Sequence, residues 1–241
     1  VTITGFASDV SEEDKATVKI PDTITVKGAD MAVTAVANQA FSEDYNKIKT
    51  VTIGANVATI GNYAFATTHG NANDGTLESV TFEAGVPVSI GTRAFQKYGS
   101  SFKKFDAGNR KVALGDHVFL SDAALIYVNI SNATSLGKGV FYGLDSATTT
   151  SGTLVINGAA KSNAKSFENV TNVTSPGHPL SKMTVYVVGD NGNAGDTTIA
   201  LEKAGVNILC LTDGGTFPAD TSFEANKLAE PTKTGYTFAG W

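Results

Sequence analysis

Ile60-Gly-Asn-Tyr-Ala-Phe65 is the stretch on which the reading of this chain turns, because the same phrase returns along the sequence. It recurs as Val36-Ala-Asn-Gln-Ala-Phe41, Ile90-Gly-Thr-Arg-Ala-Phe95, Leu114-Gly-Asp-His-Val-Phe119 and Leu136-Gly-Lys-Gly-Val-Phe141, with a degenerate copy ending at Phe167. Phe41, Phe65, Phe95, Phe119, Phe141 and Phe167 stand 24, 30, 24, 22 and 26 residues apart. A period of this size marks stacked supersecondary units, none of which can bury its apolar face alone. The uneven spacing then reports loop insertions within a kept register. The repeated Phe is expected to form an internal ladder with offset aromatic contacts. Gly61, Gly91, Gly115 and Gly137 recur where the chain turns away from a strand, consistent with a backbone that a side chain would strain.

Between the phrases lies a second recurring element, a short alternating apolar run of the kind that forms a strand buried on one side. It appears as Val18-Lys-Ile20, Val51-Thr-Ile53, Val80-Thr-Phe82, Phe105-Asp-Ala107, Val128-Asn-Ile130, Leu154-Val-Ile156 and Val185-Tyr-Val187. Ile48, Leu77, Phe102 and Leu125 each stand three positions before such a run, completing an L-x-x-L-x-L spacing. Spacing and period together give the fold class: an α/β leucine-rich-repeat right-handed solenoid of about six units, with short parallel strands joined by turns or short helical segments.

These phrases resemble the BspA-like leucine-rich repeats of bacterial surface proteins, whose units run as V-x-I-P and then V-x-x-I-G-x-x-A-F. Val1-Thr-Ile-Thr-Gly-Phe6, Val18-Lys-Ile-Pro21 and Val33-Thr-Ala-Val36 look like the usual first unit of such an array. At the far end, Met183-Thr-Val-Tyr-Val-Val188 reads as a strand and 189–195 as a polar loop. A short helix capped by Asp196 or Thr197 then runs to about Ala204, Gly205 ends it, and 206–211 returns as a strand. A terminal cap of this kind covers core that the last unit would otherwise expose. From Thr212 the pattern changes, and Ala229-Glu-Pro-Thr-Lys-Thr-Gly-Tyr-Thr-Phe-Ala-Gly-Trp241 resembles the Listeria-Bacteroides repeat, a small β-rich module of surface-protein stalks. Two units are therefore expected: a solenoid with its caps over 1–211 and part of a β module over 212–241.

Composition limits what such a chain can do. In 241 residues, 41% are hydrophobic and only 17% charged, which excludes a disordered chain. A net charge of -5 argues against nucleic acid as a partner, since phosphate binding needs a surplus of Lys and Arg on one face. Cys210 is the single cysteine, so an internal disulfide or a Cys-based metal site is impossible, and in its apolar surroundings it reads as a small buried thiol. No stretch approaches the roughly 18 apolar residues of a membrane span, and Val1 opens no signal peptide. No membrane contact by this segment is expected, and an export signal and an anchor are expected outside it.

Catalytic chemistry finds no footing. His69, His117 and His178 fall in an insertion, a repeat phrase and a Pro/Gly loop, and none stands in a metal or nucleophile motif; each reads as a solvated histidine. Asp190-Asn-Gly-Asn-Ala-Gly-Asp196 is rich in oxygen ligands, but Leu201 stands where an EF-hand needs Glu, so it reads as a polar loop. No cofactor is expected, and no enzyme.

Two surface features remain. Arg93, Lys97, Lys103, Lys104, Arg110 and Lys111 gather over 93–111 against Asp106, a basic cluster suited to sulfated or anionic glycans, or a solvated face across neighbouring repeats. The second is the outer face of the strands, where Lys19, Thr52, Thr81, Asp106, Asn129, Val155 and Tyr186 each stand between two inward residues. Repeat proteins use such stacked faces for binding, and aromatic side chains anchor interfaces. The candidate ligand-binding residues are therefore Lys103, Lys104, Asp106, Tyr127, Asn129 and Tyr186. The BspA resemblance implies an adhesin-like role at the cell surface or in the extracellular medium, with a host or bacterial surface protein or a glycan as partner. A monomer is expected. The alternative is a passive spacer that displays other domains, and the Thr, Asp and Asn content of the outer face suits it.

Overall fold

The computed structural model describes residues 1–66, 75–96, 101–122, 124–142, 152–162, 165–168, 180, 183–189, 195–206 and 208–210. His69, Lys97, His178, most of the Asp190–Asp196 segment and the whole of 212–241 lie outside the described residues, as does the side chain of Cys210.

Every alternating run forms a strand, and the strands stack in one parallel sheet of eight in the order of the chain. They are Thr17–Ile20, Thr50–Ile53, Ser79–Phe82, Lys104–Asp106, Tyr127–Ile130, Gly152–Asn157, Met183–Val188 and Ile208–Cys210. A second parallel sheet lies across the core from the first. It is built from Thr2–Ile3, Ala35–Val36, Thr59–Ile60, Val88–Ile90, Val112–Leu114 and Ala133–Leu136, so five of its six strands end on the residue that opens the Gly-x-x-Ala-Phe phrase. The solenoid is as expected, but its second layer is strand and turn where short helical segments were the other possibility. Two to four residues closed by a tight turn leave no room for a helical turn, and stacking supplies the hydrogen bonds that a helix would make internally.

The inward residues of both sheets meet in one core with the phenylalanine ladder at its centre. Ile48, Leu77 and Phe102, three positions ahead of the first inward residue of their strands, are fully buried within it. Phe41, Phe65 and Phe95 stack face to face at 5.0 and 5.3 Å, and Phe119, Phe141 and Phe167 at 5.6 and 6.2 Å. Between the two stacks Phe105 presents its edge to Phe95 at 5.7 Å and to Phe119 at 4.9 Å, an arrangement favoured by the ring quadrupoles.

The recurring glycines answer to space more than to dihedral angle. A Cβ on Gly61 would meet the backbone of Ala37 and Asn38, and one on Gly137 the backbone of Gly115 and Asp116, so each coil rests directly on the one before. The left-handed position lies two residues further on and is held by Gln39, Tyr63, Arg93, His117 and Gly139, with φ between 52° and 57°. Two further elements flank the coils. The helix Asp196–Lys203 seats Ala200 and Leu201 in the core, and its Thr197 hydroxyl donates to the Ala160 carbonyl at 2.9 Å. At the start, an antiparallel hairpin pairs Thr23–Val26 with Ala29–Ala32 around Lys27-Gly28, both at positive φ as a two-residue hairpin turn requires. Its signal was present in the alternation Thr-Ile-Thr-Val followed by Lys-Gly.

Candidate functional site

The outer face of the larger sheet carries two rows of side chains in register. One runs Thr17, Thr50, Ser79, Lys104, Tyr127, Thr153 and Thr184; the other runs Lys19, Thr52, Thr81, Asp106, Asn129, Val155, Tyr186 and Leu209. Lys104, Asp106, Tyr127 and Asn129 come together here. The Lys104 ammonium lies 5.4 Å from the centre of the Tyr127 ring and 3.8 Å from Asp106 Oδ2. Asn129 Nδ2 donates to Asp106 Oδ1 at 3.0 Å.

Three of the six expected ligand residues do not present themselves for binding. Asp106 and Asn129 are only 8% and 9% exposed, because each side chain folds back over the loop that follows its strand. Asp106 Oδ1 accepts from the Gly108 N–H at 2.9 Å, and Asn129 Oδ1 accepts from the Ser131 N–H at 3.1 Å; short polar side chains readily make such turns with their own backbone. Tyr186 is 7% exposed and belongs with Val155, Val188 and Leu209 to a second apolar cluster, where burial pushes its phenol pKa up. It packs as core. Lys103 is exposed just ahead of its strand, and Lys104 and Tyr127 are half-buried on the face.

The basic cluster also separates once folded. Arg110 is buried, with its guanidinium donating to the carbonyls of Val86 at 2.7 Å, Gly54 at 2.9 Å and Ala55 at 3.1 Å, and also to that of Val57. It ties together loops from two earlier coils. Burial pulls its pKa down, against the pull of Asp22 and Glu83 in the other direction. Lys104 lies on the larger sheet, while Arg93 belongs to the turn that closes the smaller one. Linear proximity therefore says little about charge density on a solenoid, because each coil distributes its residues around the whole perimeter.

A third region, which the sequence reading passed over, is built on the turns of the Gly-x-x-Ala-Phe phrases. Their backbones are held coil to coil. The N–H of Tyr63 donates to the Thr92 carbonyl, that of Arg93 to Asp116, that of His117 to Lys138 and that of Gly139 to Lys165, all between 2.7 and 3.1 Å. Just before this position Asn38, Asn62 and Asp116 each accept, through Oδ1, the N–H of the next coil at 2.7 to 2.8 Å. The left-handed residues thus form a column with an invariant backbone and changing side chains. Arg93 Nη1 donates to the Tyr63 hydroxyl at 2.9 Å while its guanidinium lies 5.9 Å from that ring's centre. His117 meets the Tyr142 ring edge-on at 5.8 Å, and it lies so close over Gly139 that a Cβ there would collide with the imidazole.

Together Arg93, His117, Leu120, Lys138, Tyr142 and Glu168 line an open depression on this edge. Lys138 pairs with Glu168 at 3.3 Å. His117 is half-buried, in contrast with the solvated histidine expected, and burial together with the Arg93 charge lowers its pKa from the ordinary 6.5. Its imidazole is therefore neutral at neutral pH. The signal for this region was in the sequence as the second variable residue of each phrase, whose place is constant while its identity changes. Among the described residues no group of three His, Cys, Asp or Glu is placed to hold a metal ion, and no helix is long and apolar enough to cross a membrane.

Comparison with known proteins bears on the repeat. Residues 34–174, more than half of the chain, match the model of the BspA type leucine-rich repeat region in six copies. Among solved structures, the chain is similar to a leucine-rich cell surface protein from Faecalibacterium prausnitzii A2-165, at 17% identity and a TM-score of 0.46. The match covers 88% of this chain and 50% of that one, so the chain spans about half the length of that protein. No curated protein matches the chain.

Proposed function

Because the chain belongs to the BspA type leucine-rich-repeat family, we propose that it is a non-catalytic recognition module of a cell-surface or secreted protein, binding a host protein, another cell or a glycan through its solenoid surface. One observation carries this reading. Five successive coils hold the same left-handed turn with the same hydrogen bonds, yet place Gln39, Tyr63, Arg93, His117 and Gly139 on it. A scaffold that keeps its backbone while varying outward side chains separates folding from recognition, which is the division of labour by which repeat proteins bind.

The spacer reading draws on the larger sheet, where Asp106 and Asn129 are spent on capping their own loops and the remaining row is largely Thr. Binding of the purified chain to an array of glycans and extracellular-matrix proteins separates the two. Saturable binding that the folded Arg93→Asn/Lys138→Gln or Lys103→Glu/Lys104→Glu variant weakens supports recognition. A chain that binds nothing on the array, or whose binding neither variant changes, supports the spacer.

A further inference from the structure

The depression on the turn edge has a specific chemical character. Arg93 supplies a guanidinium already fixed by the Tyr63 hydroxyl and ring, and its Nε and Nη2 donate to no other described residue. A planar fork held in place before binding suits a carboxylate, which it can meet with two parallel hydrogen bonds at little entropic cost. Lys138 adds a second cation, and Glu168, paired with it, adds an acceptor for hydroxyl groups. The neutral imidazole of His117 offers a donor and an acceptor, while Leu120 and the face of Tyr142 provide an apolar surface beside these polar groups. Polar groups converging next to an aromatic face on a rigid backbone match a pyranose ring, which shows C–H groups on one face and hydroxyls at its rim.

We propose that the depression lined by Arg93, His117, Lys138, Tyr142 and Glu168 binds a carboxylate-bearing sugar, with the acid on the Arg93 guanidinium and the ring against Tyr142. Gly139 is part of the site's construction. It is the one of the five left-handed residues without a side chain, and the His117 imidazole lies over it beside Tyr142. Lys138 is balanced by Glu168 at 3.3 Å, so the preference for an acid rests on the Arg93 guanidinium and its fixed donor geometry. This inference rests on the recognition reading above, but places the site away from the outer face of the larger sheet.

Four groups face His117 electrostatically: Arg93 and Lys138, which disfavour its protonation, and Asp116 and Glu168, which favour it. A bound carboxylate joins the second pair, so ligand binding raises the His117 pKa, and acidification through that range tightens binding by the same linkage.

The test is titration of the whole chain, followed by NMR of the histidine rings, with N-acetylneuraminic acid, galacturonic acid and galactose as probes. One or both acids are expected to bind saturably and shift the His117 resonance, with galactose at least tenfold weaker. Arg93→Asn keeps a residue that tolerates the left-handed turn and should weaken the acid at least tenfold, with thermal unfolding unchanged. Lys103→Glu/Lys104→Glu, on the larger sheet, should leave acid binding as it is. If the acid that binds separates sialic from uronic sources, it names the ligand class. The proposal is overturned if neither acid binds, if galactose binds as well, or if folded Arg93→Asn retains full affinity. In any of these cases, array binding that the larger-sheet variant weakens would keep the recognition reading while removing this site from it.

Discussion

The outer face of the larger sheet and the turn edge of the same coils use their polar residues in opposite ways. On the sheet, Asp106 and Asn129 spend their side chains on the loops of their own coils, and the face closes over into an apolar cluster at Val155, Tyr186 and Leu209. On the turn edge, backbone hydrogen bonds run from coil to coil, and Asn38, Asn62 and Asp116 each accept one further N–H from the next coil. Arg93, His117 and Lys138 make their side-chain contacts along that edge, with Tyr63, Tyr142 and Glu168. A stacked sheet is the usual binding surface of a repeat protein, but in this chain the position whose side chain changes from coil to coil lies on the turn edge, where the backbone is hydrogen-bonded coil to coil.

Phe95 serves both regions, stacking on Phe65 beneath the turn edge and meeting the Phe105 of the larger sheet. Phe95→Ala should therefore have the largest effect, about 3–5 kcal/mol of stability lost in chemical denaturation, with both faces affected together. A smaller loss confined to one face would show that the two sheets are less coupled than the ladder implies. Arg110→Met comes next, roughly 3 kcal/mol, since the carbonyls of Gly54, Ala55, Val57 and Val86 lose a shared donor in a buried place. Amide exchange should then quicken first in the loops around 54–57 and 83–86, while the turn edge keeps its protection.

Gly91→Ala addresses the turn edge alone. The added Cβ meets the backbone of Gly61 and Asn62, so the coil must lift, at roughly 1–3 kcal/mol. Loss of affinity for a turn-edge ligand should accompany it, with the larger sheet unchanged. The smallest effect is on pH. The folded pKa of His117 lies below the unfolded value, so the unfolded chain takes up its proton first as pH falls. Stability from this group is complete above about 6.5 and declines as pH drops from there toward the lowered folded pKa. In His117→Asn, which tolerates the turn, that part of the decline should vanish from thermal unfolding curves.

Much of the fold could be read directly. The Phe period gave the ladder, the seven alternating runs and the strand read over 206–211 gave the eight-stranded sheet, and Gly205, at φ 72°, ends the capping helix as its type suggests. The site was less legible. Asp106 and Tyr186 both occupy outward positions in the alternation, yet one turns back to its own loop and the other is covered. Alternation reports which side of a strand a residue leaves from, and nothing about what it meets afterwards. Arg93 and Arg110 are close in the chain and similar in type, but one is half-buried on a turn and the other is buried against the carbonyls of two earlier coils.

By itself the sequence determined the repeat, its period and its apolar core, because apolar side chains at fixed intervals are a local pattern written into each unit, though buried only when the units stack. Tertiary structure alone decided which polar groups are consumed and which are offered. Whether a guanidinium finds carbonyls or open space depends on the coils above and below it, and that contact exists only once they are stacked.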